Sequence, residues 1–174
     1  MSSDSLTRAQ ILSKLGEAML ARGWSLNSFS GLPEFFANTE LVTPYYSAGD
    51  IRPFENGWYG LNGHIGVIHR EFEEIWTARD ENCWKENLLP TVLLIANLKA
   101  LREVAYVRAD TLASDIERFV AILHEILCKM PQSEGELKAA FEKGQLCDRP
   151  IEEFKGYSQR PKFAEFRQFV EKLP

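Results

Sequence analysis

The sequence predicts an α+β fold in which a small antiparallel sheet, built around a hairpin near residues 57–68, packs against several helices. Four segments repeat apolar residues at the helical period, and Asn62-Gly63 lies between two runs of aromatic and β-branched residues. A mostly α fold with this hairpin as its sheet is the alternative, because residues 64–107 carry the patterns of both strands and helices.

Helices are predicted at residues 6–22, 110–129, 134–143 and 161–172. Gly23 and Gly144 follow the first and third helices, at positions where a left-handed residue commonly ends a helix. Asp110 is the expected cap of the second helix, and Ser133 with Glu136 forms a capping box for the third. The apolar stripes predict these core residues: Leu112, Ile116, Phe119, Leu123 and Phe166.

The hairpin segment has two unusual features. Asn62-Gly63 predicts a two-residue turn, because both positions of such a turn need positive φ. Glycine also recurs at every third position from Gly57 to Gly66, which indicates close approach by a neighbouring part of the chain.

The segments around the hairpin are harder to interpret. Residues 43–50 resemble an ordered surface loop with two packed tyrosines. Residues 69–77 fit a helix or a strand, and the helix is favoured. Farther on, either Val92–Ile95 and Val104–Val107 are neighbouring strands or residues 94–103 form a helix.

Size and composition indicate one soluble domain. With 174 residues, 45% hydrophobic and 26% charged, the chain is expected to form a single globular domain over residues 1–174. Its three cysteines are odd in number and widely spaced, which fits reduced thiols better than a disulfide framework. The start of the chain lacks the pattern of a signal peptide, and the longest apolar stretch is too short to cross a bilayer. We therefore expect a cytoplasmic protein.

The charge pattern bears on the kind of partner. A formal net charge of −5 argues against a nucleic-acid surface, which needs clustered Lys and Arg. The charge is also uneven: residues 71–86 carry six acidic and two basic side chains, whereas residues 149–174 carry six basic and four acidic ones. We expect another protein as the partner, and neither nucleic acid nor a membrane.

A candidate metal or acid–base site follows the hairpin. On a helix, His69 and Glu73 would share a face and supply two ligands, with His64 or Asp80 as a third. The simpler interpretation is a solvated acidic helix face, because zinc motifs usually show more of their ligands together. We therefore expect no metal and no cofactor.

Four other features could form sites. Cys83 is flanked by acidic residues, which do not activate a thiol, and the glycine spacing matches neither a P-loop nor a dinucleotide motif. A late basic segment is a candidate patch for an anion or a partner: Arg149, Lys155, Tyr157, Arg160 and Lys162. Six aromatic residues are candidates for lining a pocket: Tyr45, Tyr46, Trp58, Tyr59, Trp76 and Trp84.

Two functions follow from these features. The favoured one is a non-catalytic protein-interaction domain of the adaptor or immunity type. The alternative is a small enzyme or ligand-binding protein that uses histidines and carboxylates in an aromatic-lined pocket. Because two histidines precede the densest acidic cluster, the predicted site residues are His64, His69, Glu71 and Trp76, with Arg160 and Lys162 as a second patch.

Overall fold

The structure, a computed structural model, describes residues 6–27, 33–79, 92–93, 97–147 and 161–174. The α-helices in these ranges are α1 (Arg8–Leu20), α2 (Arg70–Arg79), α3 (Asn97–Glu103), α4 (Leu112–Cys128), α5 (Glu134–Glu142) and α6 (Pro161–Glu171). The strands are β1 (Ser25–Asn27), β2 (Glu34–Phe36), β3 (Val42–Pro53), β4 (Trp58–His69), β5 (Val92–Leu93), β6 (Tyr106–Arg108) and β7 (Leu146–Cys147). The α+β class is confirmed, as are the four predicted helices.

The strands form one five-stranded sheet, with the order β1-β2-β3-β4-β6, and a second sheet that pairs β5 with β7. The pairs β1–β2, β4–β6 and β5–β7 are antiparallel. In the larger sheet β6 lies beside the start of β4, with Trp58 opposite Arg108 and Gly60 opposite Tyr106. This pairing brings the segment after α3 next to the start of β4.

The hairpin turn is not where the sequence placed it. β4 runs through Asn62 and Gly63 without a break, and the turn between β3 and β4 lies at the other Asn-Gly pair of the chain. Asn56 and Gly57 have φ of 60° and 74°, the positive values that the turn requires at both positions. The prediction of a turn at Asn62-Gly63 was therefore wrong.

The expected close approach occurs at two of the spaced glycines. A Cβ atom on Gly63 would collide with the Tyr46 ring and lie 2.6 Å from the carbonyl oxygen of Ser47. A Cβ atom on Gly60 would lie 2.6 Å from the ring of Phe54. Position 63 is the more restrictive one, because backbone cannot move aside as easily as a side chain.

We expect Gly63→Ala to lower the free energy of unfolding by about 1–3 kcal/mol, because the added methyl group has no space beside β3. Gly16→Ala is the matched control. Gly16 lies within α1 with nothing within 4 Å of an added Cβ, so alanine should stabilise the protein by about 0.5–1 kcal/mol. Urea unfolding measures both changes, and equal effects would contradict the close packing at Gly63.

The chain divides into two compact units. Unit 1 consists of Met1–Ala37, Tyr46–His64 and Ala96–Cys128, and unit 2 of Asn38–Tyr45, Ile65–Ile95 and Lys129–Pro174. Each unit is thus built from three separate segments, and β3 and β4 contribute residues to both. The prediction of a single domain over residues 1–174 stays a prediction.

In unit 1, α1 packs on α4. Leu15 and Met19 of α1 are buried, and the ring of Phe119 on α4 meets the Tyr46 ring edge-on at 6.0 Å. Burial raises the pKa of the Tyr46 phenol. After α1, the Arg22 guanidinium binds the Glu117 carboxylate of α4 and lowers the pKa of that carboxyl.

In unit 2, α6 packs on both α5 and α2. Phe166 of α6 is fully buried and contacts Phe72 of α2 and Phe141 of α5, with ring centroids 4.9 and 5.7 Å apart. The Phe163 ring lies 5.8 Å from the Phe141 ring. Aromatic side chains therefore make up much of this unit's described core.

Most of the predicted core is confirmed. Ile116, Phe119, Leu123 and Phe166 are all buried, whereas Leu112 is only partly covered, because it is the first residue of α4 and lies beyond the packed turns.

The helix ends match the prediction in part. Gly23 and Gly144 have positive φ, as expected. Ser133 caps α5, but the Glu136 carboxylate accepts from the backbone N–H of Gln132 rather than of Ser133, so the predicted capping box is incomplete. Asp110, the expected cap of α4, lies two residues before the first residue of that helix, Leu112, and its carboxylate forms an ion pair with the Arg108 guanidinium at 3.0 Å.

The structure gives the secondary structure of two segments that the sequence left uncertain. Residues 43–50, interpreted as a surface loop, belong to strand β3, where Tyr45 and Tyr46 are buried. In residues 92–107 both elements occur: α3 is a helix, and β5 and β6 are strands. The two strands are not neighbours, however, since β5 pairs with β7 and β6 with β4.

Candidate functional site

Two of the predicted site residues that the structure describes contact the same aromatic cluster. His69 and Trp76 lie in unit 2 and contact one aromatic cluster, in which Phe72 stacks on Trp76 at 6.1 Å and the His69 ring meets Phe169 edge-on at 4.7 Å. His64 belongs to unit 1 and is exposed, and Glu71 is exposed on α2.

His69 is the one fully buried member of the predicted set whose contacts are described. Its Nε2 lies 2.8 Å from Oε1 of Glu134, at the first turn of α5. The carboxylate can only accept, so Nε2 carries the proton and donates it. Nδ1 is buried and has no hydrogen-bond partner within the described part of the chain. This geometry ties β4 to α5 through a polar contact inside an apolar cluster.

Several predicted residues lie outside the described part of the chain. These are Arg160, the side chain of Lys162, and the other candidates Asp80, Cys83, Trp84, Arg149, Lys155 and Tyr157. Within the described residues, no three His, Cys, Asp or Glu side chains come together as a group that could hold a metal ion.

A polar cluster in unit 1 involves the third histidine of the chain. The Trp24 indole N–H donates to Nδ1 of His124 at 3.0 Å, and Cys128 Sγ lies 3.5 Å from Nε2. Because Nδ1 accepts, Nε2 of the neutral ring carries the proton. The Cys128 sulfur lies beside the ring, 3.8 Å from Nδ1 as well. Trp24 therefore fixes the histidine tautomer and joins the end of α1 to α4.

The strongest candidate for a binding site is a cleft in unit 1 with a volume of about 530 Å³. It lies where β6, the start of β4 and the first half of α4 meet. Its lining comprises Phe54, Trp58, Glu103, Val104, Tyr106, Arg108, Thr111, Asp115 and Arg118. The volume is within the range of about 300–1,000 Å³ that is common for ligand sites.

Aromatic rings form the walls of this cleft. Phe54 and Tyr106 are 51% and 46% exposed and meet edge-on, with ring centroids 5.5 Å apart. The Arg108 guanidinium lies over the Trp58 ring, 4.7 Å from its centroid. The β4–β6 register causes this contact, since Trp58 and Arg108 are directly opposite one another.

A buried carboxylate fixes the polar side of the cleft. Asp115 is 6% exposed and accepts from the Thr111 hydroxyl at 2.6 Å, the Arg118 guanidinium at 3.1 Å and the backbone N–H of Arg108 at 3.2 Å. Three donors offset the cost of burying this charge. Asp115 thus holds the first turns of α4 against β6 and positions Arg118.

Glu103 is a second carboxylate of the cleft and, unlike Asp115, it is exposed to solvent. It lies at the end of α3 and forms no ion pair within the described residues. Both arginines of the lining do have carboxylate partners: Arg108 pairs with Asp110 and Arg118 with Asp115. Glu103 is therefore the charged group of the lining that has no ion-pair partner among the described residues.

The sequence interpretation identified only Trp58 of this lining. The other members come from the segments around residues 54, 103–111 and 115–118, which no local motif connects. One signal was present: Asp115 stands on the otherwise apolar face of α4, beside Ile116 and Phe119. A charged residue at such a position needs nearby donors and can mark a functional neighbourhood.

Comparison of the chain with protein-family models, curated proteins and solved structures finds no match. Among the helices of the described residues, none has the length and apolar character needed to cross a membrane.

Proposed function

We propose that this protein is a non-catalytic interaction domain of the adaptor or immunity type, which binds another protein through the cleft of unit 1. The observation that carries the proposal is the meeting of Trp58, Tyr106 and Arg108 in this one cleft. Trp, Tyr and Arg are the residue types that contribute most of the binding energy in protein interfaces.

The arrangement of the cleft also supports this function. Phe54 and Tyr106 offer apolar area at the entrance, while Asp115 fixes the backbone behind them. A site held in place before binding loses less conformational entropy when the partner arrives. The net charge of −5 favours a protein partner over nucleic acid, and we propose that the encounter takes place in the cytoplasm.

The alternative function, an enzyme or ligand-binding protein with histidine and carboxylate groups, is supported by the His69–Glu134 contact among aromatic rings. We favour the cleft because its aromatic and charged groups are open to solvent, whereas the side chain of His69 is fully buried.

Crosslinking followed by affinity measurement tests the interaction function. A photoreactive phenylalanine analogue at position 54 should capture the partner in a native extract, and mass spectrometry identifies it. Calorimetry with the purified partner should then show that Trp58→Ala and Tyr106→Ala each weaken binding by about tenfold or more.

The control for this experiment is Leu20→Ala. Leu20 is an equally exposed apolar residue of unit 1, at 49%, but it does not line the cleft, so its truncation should leave affinity unchanged. Circular dichroism establishes that each variant is folded. Unchanged affinity in folded Trp58→Ala and Tyr106→Ala proteins would contradict the proposal.

A further inference from the structure

We infer that the cleft of unit 1 receives an arginine side chain from a basic segment of the partner protein, held by the Phe54 and Tyr106 rings and by the Glu103 carboxylate. This inference rests on the proposed function and specifies the chemistry of its partner. Three observations support it: the unpaired carboxylate of the lining, the aromatic walls on one of which the protein places its own arginine, and the net charge of the chain.

The pairing of the charged groups in the lining favours a cation. Each guanidinium in the lining already has a carboxylate partner, at 3.0 Å for Arg108 and 3.1 Å for Arg118. Glu103 has no such partner within the described residues, and it stands at the end of α3, where the helix dipole is also negative. An incoming cation would balance this charge, whereas an incoming anion would be repelled by it.

The aromatic walls favour the same ligand. Guanidinium groups are attracted to the faces of aromatic rings, and they stack on them better than ammonium groups do. Arg108 demonstrates this contact within the cleft, where its guanidinium lies 4.7 Å from the centre of the Trp58 ring. Phe54 and Tyr106, each about half exposed, offer further ring surface beside it.

The charge of the whole chain points to a basic partner. The formal net charge is −5, so a basic segment would be attracted at long range before it reaches the cleft. Complementary charge of this kind mainly raises the rate of association and excludes acidic partners. A basic segment with an arginine anchor therefore fits both the cleft and the net charge of the chain.

The test uses small blocked amino acids as probes and follows the backbone amide and indole N–H signals of the protein by NMR. N-acetyl-arginine methylamide should shift the signals of Glu103, Tyr106 and Trp58 in the millimolar range. The citrulline analogue has nearly the same shape but no charge, and it should bind about fivefold more weakly. The glutamate analogue should bind more weakly still.

Variants separate the contribution of Glu103 from the rest of the cleft. Glu103→Gln should remove most of the preference for the arginine probe over the citrulline probe, and the aromatic rings should retain the remainder. Glu125→Gln is the matched control, because Glu125 is exposed in the same unit and does not line the cleft; it should leave the difference intact.

Each other outcome would overturn the inference. Equal binding of the arginine and citrulline probes, stronger binding of the glutamate probe, or no shift at the cleft with any probe would each exclude an arginine anchor. The interaction function is judged separately, by the affinity of Trp58→Ala and Tyr106→Ala for the crosslinked partner. If both variants bind the partner more weakly but the protein shows no preference for the arginine probe, the interaction function stands and the arginine anchor does not.

Discussion

Phe119→Ala should lower the free energy of unfolding by about 3–5 kcal/mol. Phe119 is 2% exposed on α4, and its ring contacts the buried Tyr46. Truncation removes apolar area from the core of unit 1 and leaves a cavity that the flanking residues Val120 and Leu123 can fill only in part. Urea unfolding followed by circular dichroism measures the change.

Phe54→Ala is the matched control for this prediction, since it is the same substitution at an exposed position of the same unit. Phe54 is 51% exposed and loses mainly its contact with Tyr106, so we expect a cost of about 1 kcal/mol or less. A loss below about 0.5 kcal/mol for Phe119→Ala would contradict the burial of that ring.

His69→Ala should produce the second largest effect, a loss of about 2–4 kcal/mol in the free energy of unfolding. The substitution removes a fully buried ring that packs on Phe169 at 4.7 Å, together with the hydrogen bond to Glu134. Glu134→Gln should cost less, because the amide oxygen can still accept from Nε2.

The control for His69 is His64→Ala. His64 is exposed at the surface of unit 1, so its truncation should change stability by no more than about 0.5 kcal/mol. If His69→Ala lowered the free energy of unfolding as little as His64→Ala is expected to, the buried contact between His69 and Glu134 would contribute little to stability.

The helices were predictable because their signals are local. Apolar residues at helical spacing and a glycine after the last turn are all visible within about twenty residues, and Gly23 and Gly144 do end helices. The position of the turn between β3 and β4 was harder to predict, because the chain contains two Asn-Gly pairs. The positive φ at Asn56 and Gly57 depends on which strands pair, and pairing is a property of the whole sheet.

Strand β3 shows a second limit of local patterns. Pro44 and Gly49 are unusual in a strand, yet Tyr45 and Tyr46 within it are buried. Pairing with the neighbouring strands β2 and β4 determines the strand conformation of β3, and the sequence of residues 43–50 alone does not indicate these partners.

The cleft could not be predicted for a similar reason. Trp58 and Arg108 are fifty positions apart in the sequence and meet only through the β4–β6 register. Asp115 gains its role from a donor on β6, Arg108, as well as from Arg118 on its own helix. Histidine and carboxylate groups close together in sequence therefore indicated His64, His69 and Glu71, whereas the cleft is formed by distant segments.

The interleaved origin of the two units has a consequence for synthesis on the ribosome. Every segment of unit 1 precedes residue 129, whereas unit 2 also needs α5 and α6, which are made after unit 1. At translation rates of about 5–20 residues per second, the ribosome needs roughly 5–20 s to extend the chain from Phe72 to its contact partner Phe166. During that interval the apolar end of β4, Ile65–Ile68, lacks the final segment of its unit. This stretch of the nascent chain is therefore where association with other chains, or capture by a chaperone, should begin.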